Sequence, residues 1–126
     1  MTVVVDASAL LALVNAEPGM SIVSEAIPGA AISAVNLSEV IAKLTEGEMP
    51  EREIGISLGG LSLEVVAFDA DQAYTAGLLR ARTRSRGLSF GDRACIALGI
   101  MLGYDVLTAD RSWAGLDLGV GVKLIR

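Results

Sequence analysis

Thr2-Val3-Val4-Val5-Asp6-Ala7-Ser8 sets three adjacent valines directly before an acid, and a helical stretch from Ala9 to Asn15 follows. An uninterrupted β-branched run reads as a strand buried on both faces, because a half-buried strand would alternate with polar residues. Such a strand needs helices above and below it, which makes the fold class α/β. Asp6 then sits at the strand's carboxyl end.

Outward from there the alternation continues. Ala30 to Val35 reads as a second strand, and Leu37, Val40, Ile41 and Leu44 then recur at amphipathic-helix spacing with Glu39 in the first turn. Between Glu46 and Leu61, Pro50 is placed to begin a helix and Gly59-Gly60 to end one, without any chemical motif. Leu63 to Phe68 supplies a third strand, with Asp69 capping a helix from Ala70 to about Arg86 that Gly87 closes. Ser89 caps an almost wholly apolar helix to Leu102, and Asp105–Thr108 and Val122–Ile125 are the last strands. The expectation is a single domain over residues 1–126, with a mostly parallel central sheet of about five strands covered by helices on both faces.

Composition narrows the chemistry. The longest charge-free stretch of the 126 residues, Ala26 to Ser38, contains Pro28 and Asn36 and is too short for a membrane span of about 20 residues. No Lys or Arg precedes the first apolar run, so no secretory leader is expected, and the expected location is cytoplasmic. The absence of histidine removes His-based nucleophilic catalysis and His-containing zinc sites. Cys95, the single cysteine, cannot form an intrachain disulfide and reads as a small buried filler. What remains is carboxylates and hard metal ions.

In parallel sheets the reactive groove lies beyond the strands' carboxyl ends. Asp6, Asp110 and Glu39 come from segments that reach this edge, and Asp92 opens the apolar helix, where it and Arg93 are the only charges between Gly87 and Asp105. Each acid also has a local explanation. Asn36-Leu37-Ser38-Glu39 fits an N-x-x-E capping box, Glu39 reaches Lys43 one turn on, Asp92 complements a helix N-terminus, and Asp110 caps the turn through Ser112-Trp113. Local explanations leave the convergence of four anions on one edge unaccounted for. Oxygen-only ligation suits Mg²⁺, with Mn²⁺ as a substitute, and the chemistry it supports is phosphodiester hydrolysis.

Four segments in order carry a resemblance: Val4-Val5-Asp6-Ala7-Ser8-Ala9-Leu10-Leu11, Ile32-Ser33-Ala34-Val35-Asn36-Leu37-Ser38-Glu39-Val40, Leu88-Ser89-Phe90-Gly91-Asp92-Arg93-Ala94-Cys95, and Val106-Leu107-Thr108-Ala109-Asp110-Arg111. Over nearly its whole length the sequence resembles PIN-domain ribonucleases of the VapC type, the toxins of bacterial toxin-antitoxin pairs. The resemblance implies a Mg²⁺-dependent endoribonuclease that cuts structured RNA such as transfer or ribosomal RNA. It also implies a cognate antitoxin as inhibitor and a homodimer. Asp6, Glu39, Asp92 and Asp110 would be the metal-binding acids, and Ser8 and Thr108 their hydroxyl-bearing neighbours. The competing readings are a catalytically inactive RNA- or antitoxin-binding module and a haloacid-dehalogenase-type phosphatase. The phosphatase would need a D-x-D pair where position 8 is Ser, and a second acid four residues after Asp92 where Ile96 stands.

A net charge of −5 opposes polyanion binding, but residues 68–126 carry 8 bases against 6 acids. Arg93 and Arg111 adjoin the acids and are the candidates for holding RNA phosphate. Arg80, Arg82, Arg84 and Arg86 divide between two sides of a helix, as a solvated helix end or as a contact for RNA or antitoxin. Trp113 is expected to pack the last connection.

Overall fold

The computed structural model describes residues 2–126. Among them five strands form one sheet in the order β3-β2-β1-β4-β5, and every pairing is parallel. The strands are β1 (Val3–Val5), β2 (Ala31–Ser33), β3 (Glu64–Val66), β4 (Asp105–Thr108) and β5 (Val122–Leu124). The helices are α1 (Ala7–Val14), α2 (Met20–Ala26), α3 (Ala34–Glu46), α4 (Glu51–Gly59), α5 (Ala70–Thr83) and α6 (Phe90–Leu102). Short 3-10 turns follow α5 (Arg84–Arg86) and β4 (Arg111–Trp113).

The valine run lies at the centre of the sheet and is fully buried, as its composition predicts. Alternation of side chains splits it between two cores. Val3 and Val5 join Leu10, Val23, Ile32, Val40 and Leu107 on one face, while Val4 joins Leu79, Cys95, Ile96, Leu98, Val106 and Trp113 on the other. Each fully buried valine contributes about 1.5–3 kcal/mol, and helices cover both faces. No helix among the described residues is long and apolar enough to cross a membrane.

From β1 the sheet grows one way to β2 and β3 and the other way to β4 and β5. The carboxyl ends of β1 and β4 therefore flank the point where strand order reverses, the usual place for a ligand crevice in such sheets. β4 is in register with β1, Val5 opposite Leu107, and Asp6 N–H donates to Leu107 O at 3.1 Å. Asp6 and the residues after Leu107 thus leave the sheet side by side.

The structure departs from the sequence reading in several places. β2 ends at Ser33, which caps α3 by accepting from Val35 N–H at 3.2 Å, so Asn36 lies inside the helix and Glu39 in its second turn. Helix α2 was not foreseen; its entry residue Gly19 (φ 95°) offers no side-chain cap. The helix read as reaching Arg86 gives way to a 3-10 turn after Thr83 and closes on Gly87 at φ 67°.

Candidate active site

Asp6 caps α1, its Oδ1 accepting from Ala9 N–H at 2.8 Å. Thr108 Oγ1 donates to Asp6 Oδ2 at 2.6 Å, and Ser8 Oγ reaches both carboxylate oxygens, at 2.8 and 2.9 Å. The two hydroxyls also hold the chain beyond β4: Ser8 Oγ accepts from Ala109 N–H at 2.9 Å, and Thr108 Oγ1 from Asp110 N–H at 3.0 Å. Only 4% exposed, Asp6 has its pKa pushed up to about 6 by burial; the hydrogen bonds from Thr108, Ala9 and Ser8 oppose the shift, and the charge of Asp92 adds to it.

Asp92 closes a capping box at the start of α6. Its N–H donates to Ser89 Oγ at 3.2 Å, and its Oδ2 accepts from Ser89 N–H at 2.9 Å. Burial raises its pKa, the bonds to Ser89 oppose this, and the Asp110 charge reinforces it. Glu39 is raised as well, first by burial, then by Asp92 and Asp6, against the Asn36 amide and Lys43. Asp110 accepts from Ser112 N–H at 2.9 Å and caps the 3-10 turn, the local role foreseen for it. The N-x-x-E capping box, by contrast, does not form: Asn36 is 1% exposed and its Nδ2 donates to Gly91 O of α6 at 2.9 Å.

Charges from four separated segments thus meet here, Asp92 acting on Asp6, Asp92 and Asp6 on Glu39, and Asp110 on Asp92, while the ion pairs Lys123–Asp105 and Arg126–Glu17 lie elsewhere in the fold. A family model described as PIN domain matches residues 3–117. The chain belongs to the PIN-domain family. Ribonuclease VapC42 of Mycobacterium tuberculosis is 33% identical over 125 residues, covering 91% of this chain and 95% of that one. DNA-bound VapBC from Salmonella typhimurium superposes with a TM-score of 0.79 at 20% identity, covering 100% and 99% of the two chains. VapC20 of Mycobacterium tuberculosis, described as a sarcin-ricin loop cleaving toxin, gives 0.73 at 22% identity, covering 92% and 97%. With the family shown, the haloacid-dehalogenase reading falls away.

The donors of this PIN domain suit a hard divalent ion, since all are carboxylate or hydroxyl oxygens. Among the described residues no three His, Cys, Asp or Glu side chains are already gathered into a metal-holding group. Asp6 and Asp92 are the candidate direct ligands, and Glu39 and Asp110 the candidate acids beside them. Cys95 lies beneath them, fully buried, and burial together with the charges of Asp6, Asp92 and Glu39 holds its thiol well above its ordinary range. It stays protonated and unreactive.

The arginines of the PIN domain divide by partner. Arg93 has local partners: its Nη1 donates to Ala76 O at 2.9 Å and its guanidinium sits 5.9 Å from the Phe90 ring centroid, bracing α5 on α6. Arg82 donates to Asp117 O at 2.7 Å, and Arg86 to Ser112 O and Ala114 O at 2.9 and 2.7 Å, tying down the connection that follows Asp110. Arg80, Arg84 and Arg111 are exposed, and Trp113 packs fully buried beneath that connection. The sequence reading did not identify Asn36 and Gly91 as site residues; the one available signal was a polar residue in an apolar helical run three positions before Glu39.

Proposed function

We propose that this PIN domain is a divalent-metal-dependent endoribonuclease of the VapC type, acting on structured RNA such as transfer or ribosomal RNA. It works as a homodimer held in check by a cognate antitoxin. The observation that carries the reading is the convergence of Asp6, Glu39, Asp92 and Asp110: burial raises the proton affinity of Asp6, Glu39 and Asp92, and the charges of neighbouring acids of this set add to it. A fold gains nothing from crowding anions unless a cation is to join them. Relatives that carry the ribonuclease name at 33% identity, and a neighbour solved as a VapBC pair, support both the activity and the partner.

Asp6 and Asp92 would hold the ion, whose contribution is to acidify water and to offset charge on the phosphoryl oxygens. Ser8 and Thr108 fix the plane of the Asp6 carboxylate by donating to it, which spares the site that reorganisation during reaction. Glu39, with its raised proton affinity, is suited to accept a proton from the attacking water, and Asp110 to orient that water. Arg111, exposed beside Asp110, is the candidate for the phosphate of the RNA.

The test is cleavage of end-labelled RNA with Mg²⁺, with Mn²⁺ and with EDTA. Cutting should require the metal and leave a 5′-phosphate and a 3′-hydroxyl. A cyclic phosphate terminus, or undiminished cutting in EDTA, would rule the mechanism out.

A further inference from the structure

We infer that Asn36 and Gly91 are positioning residues of the acidic edge, which together seat the Glu39 carboxylate beside Asp92. The inference rests on reading Glu39 and Asp92 as parts of one site. Asn36, 1% exposed, donates from Nδ2 to Gly91 O at 2.9 Å across 55 positions of sequence. Its Oδ1 has no hydrogen-bond partner, so the amide is oriented through its Nδ2 side, which bonds Gly91 O and also meets the Glu39 carboxylate. One turn further along α3, the Glu39 carboxylate occupies the space a side chain at Gly91 would fill: a Cβ there would overlap Oε1 and stand 2.9 Å from Oε2. The contact between α3 and α6 therefore runs through one glycine, gripped at its carbonyl by Asn36 and covered at its Cα by Glu39.

Glycine weakens a helix relative to alanine, so a buried glycine immediately before Asp92 calls for a reason of space. Gly55 and Gly77, also helical, would meet nothing within 4 Å if given a Cβ. At Gly91 the colliding group is the far end of a flexible side chain, so alanine there leaves the backbone in place and sends Glu39 toward water. With two anions repelling across the seam, the missing Cβ provides the seat, and the Asn36 amide keeps α3 from drawing away.

The experiment combines metal-free melting at pH 8 with Mn²⁺ titration calorimetry on the full chain, using Glu39→Gln, Gly91→Ala, their double variant, Asn36→Leu and, as control, Gly77→Ala. Glu39→Gln should raise Tm by about 3 °C in the unaltered background by relieving repulsion from Asp92 and Asp6, and by less than half as much in the Gly91→Ala background. Gly91→Ala and Asn36→Leu should weaken Mn²⁺ binding about 10-fold or more, and Gly77→Ala should leave it unchanged. Equal Tm gains in both backgrounds, or Mn²⁺ affinities of both single variants within twofold of the unaltered chain, would overturn the inference. Failure of the unaltered chain to bind Mn²⁺ counts against the nuclease reading instead, and the melts still decide the seating of Glu39.

Discussion

Thr108 Oγ1 lies 2.6 Å from Asp6 Oδ2, joining two residues 102 positions apart, and the same oxygen accepts from Asp110 N–H. One hydroxyl therefore sets the acid after β1 and the backbone of the acid after β4 at once. Thr108→Val keeps the shape and removes the hydroxyl. It should raise the proton affinity of Asp6 further and lower RNA cleavage about 10- to 100-fold with little change in RNA binding. Steady-state kinetics on one RNA check this, and an unchanged kcat would contradict the role assigned to Thr108.

Asp6→Asn and Asp92→Asn should each abolish cleavage while the chain stays folded, since each amide keeps a carbonyl oxygen to accept from Ala9 or Ser89. Circular dichroism and a labelled-RNA assay suffice. Cutting at the unaltered rate by either variant removes that residue from the mechanism.

The raised carboxylates fix a direction of pH dependence. The folded pKa of Asp6, about 6, lies above its ordinary 3.8, so the folded state holds the extra proton in that window. Stability from this group is complete below about pH 4 and is lost as pH rises through 6, by about 3 kcal/mol in total. Burial also raises Glu39 and Asp92, which act in the same sense. Melting curves of the metal-free chain should therefore show a slope of Tm against pH that flattens in Asp6→Asn, and Mg²⁺ should raise Tm at pH 7.5. Identical slopes for the two chains would refute this assignment.

Arg86→Ala removes two hydrogen bonds that hold the connection after Asp110. At an exposed position the loss is about 1 kcal/mol, or a Tm lower by about 3–5 °C. Arg80→Ala and Arg84→Ala should leave Tm within about 1 °C, because exposed substitutions away from such contacts seldom matter. A thermal scan of the three variants separates clamp from bystander.

Much of this architecture was legible in sequence because local patterns and tertiary demands agree there. Val3-Val4-Val5 reads as a buried strand and is one, Asp69 and Ser89 read as caps and are caps, and the apolar run after Asp92 packs as a buried helix. Asn36 was misread for a physical reason: the N-x-x-E pattern is real, but Ser33 had already begun the helix, where β2 ends after pairing Ile32 with Val65 and Ser33 with Val66. The partners of Arg82, Arg86 and Arg93 are carbonyls 17 to 35 positions away, and no spacing rule reaches that far. Helix α2 owes its place to packing of Val23 and Ala26 rather than to a cap.

The sheet joins stretches of chain that leave the ribosome far apart in time, since β1 pairs with β4 and only then are Asp6 and Thr108, 102 positions apart, neighbours. A nascent polypeptide halted on the ribosome before β4 emerges carries Asp6 without Thr108 or Asp110. If the assembled protein degrades RNA, chain order withholds the finished blade: a chain cut short before β4 has the acid but not the hydroxyl that aims it.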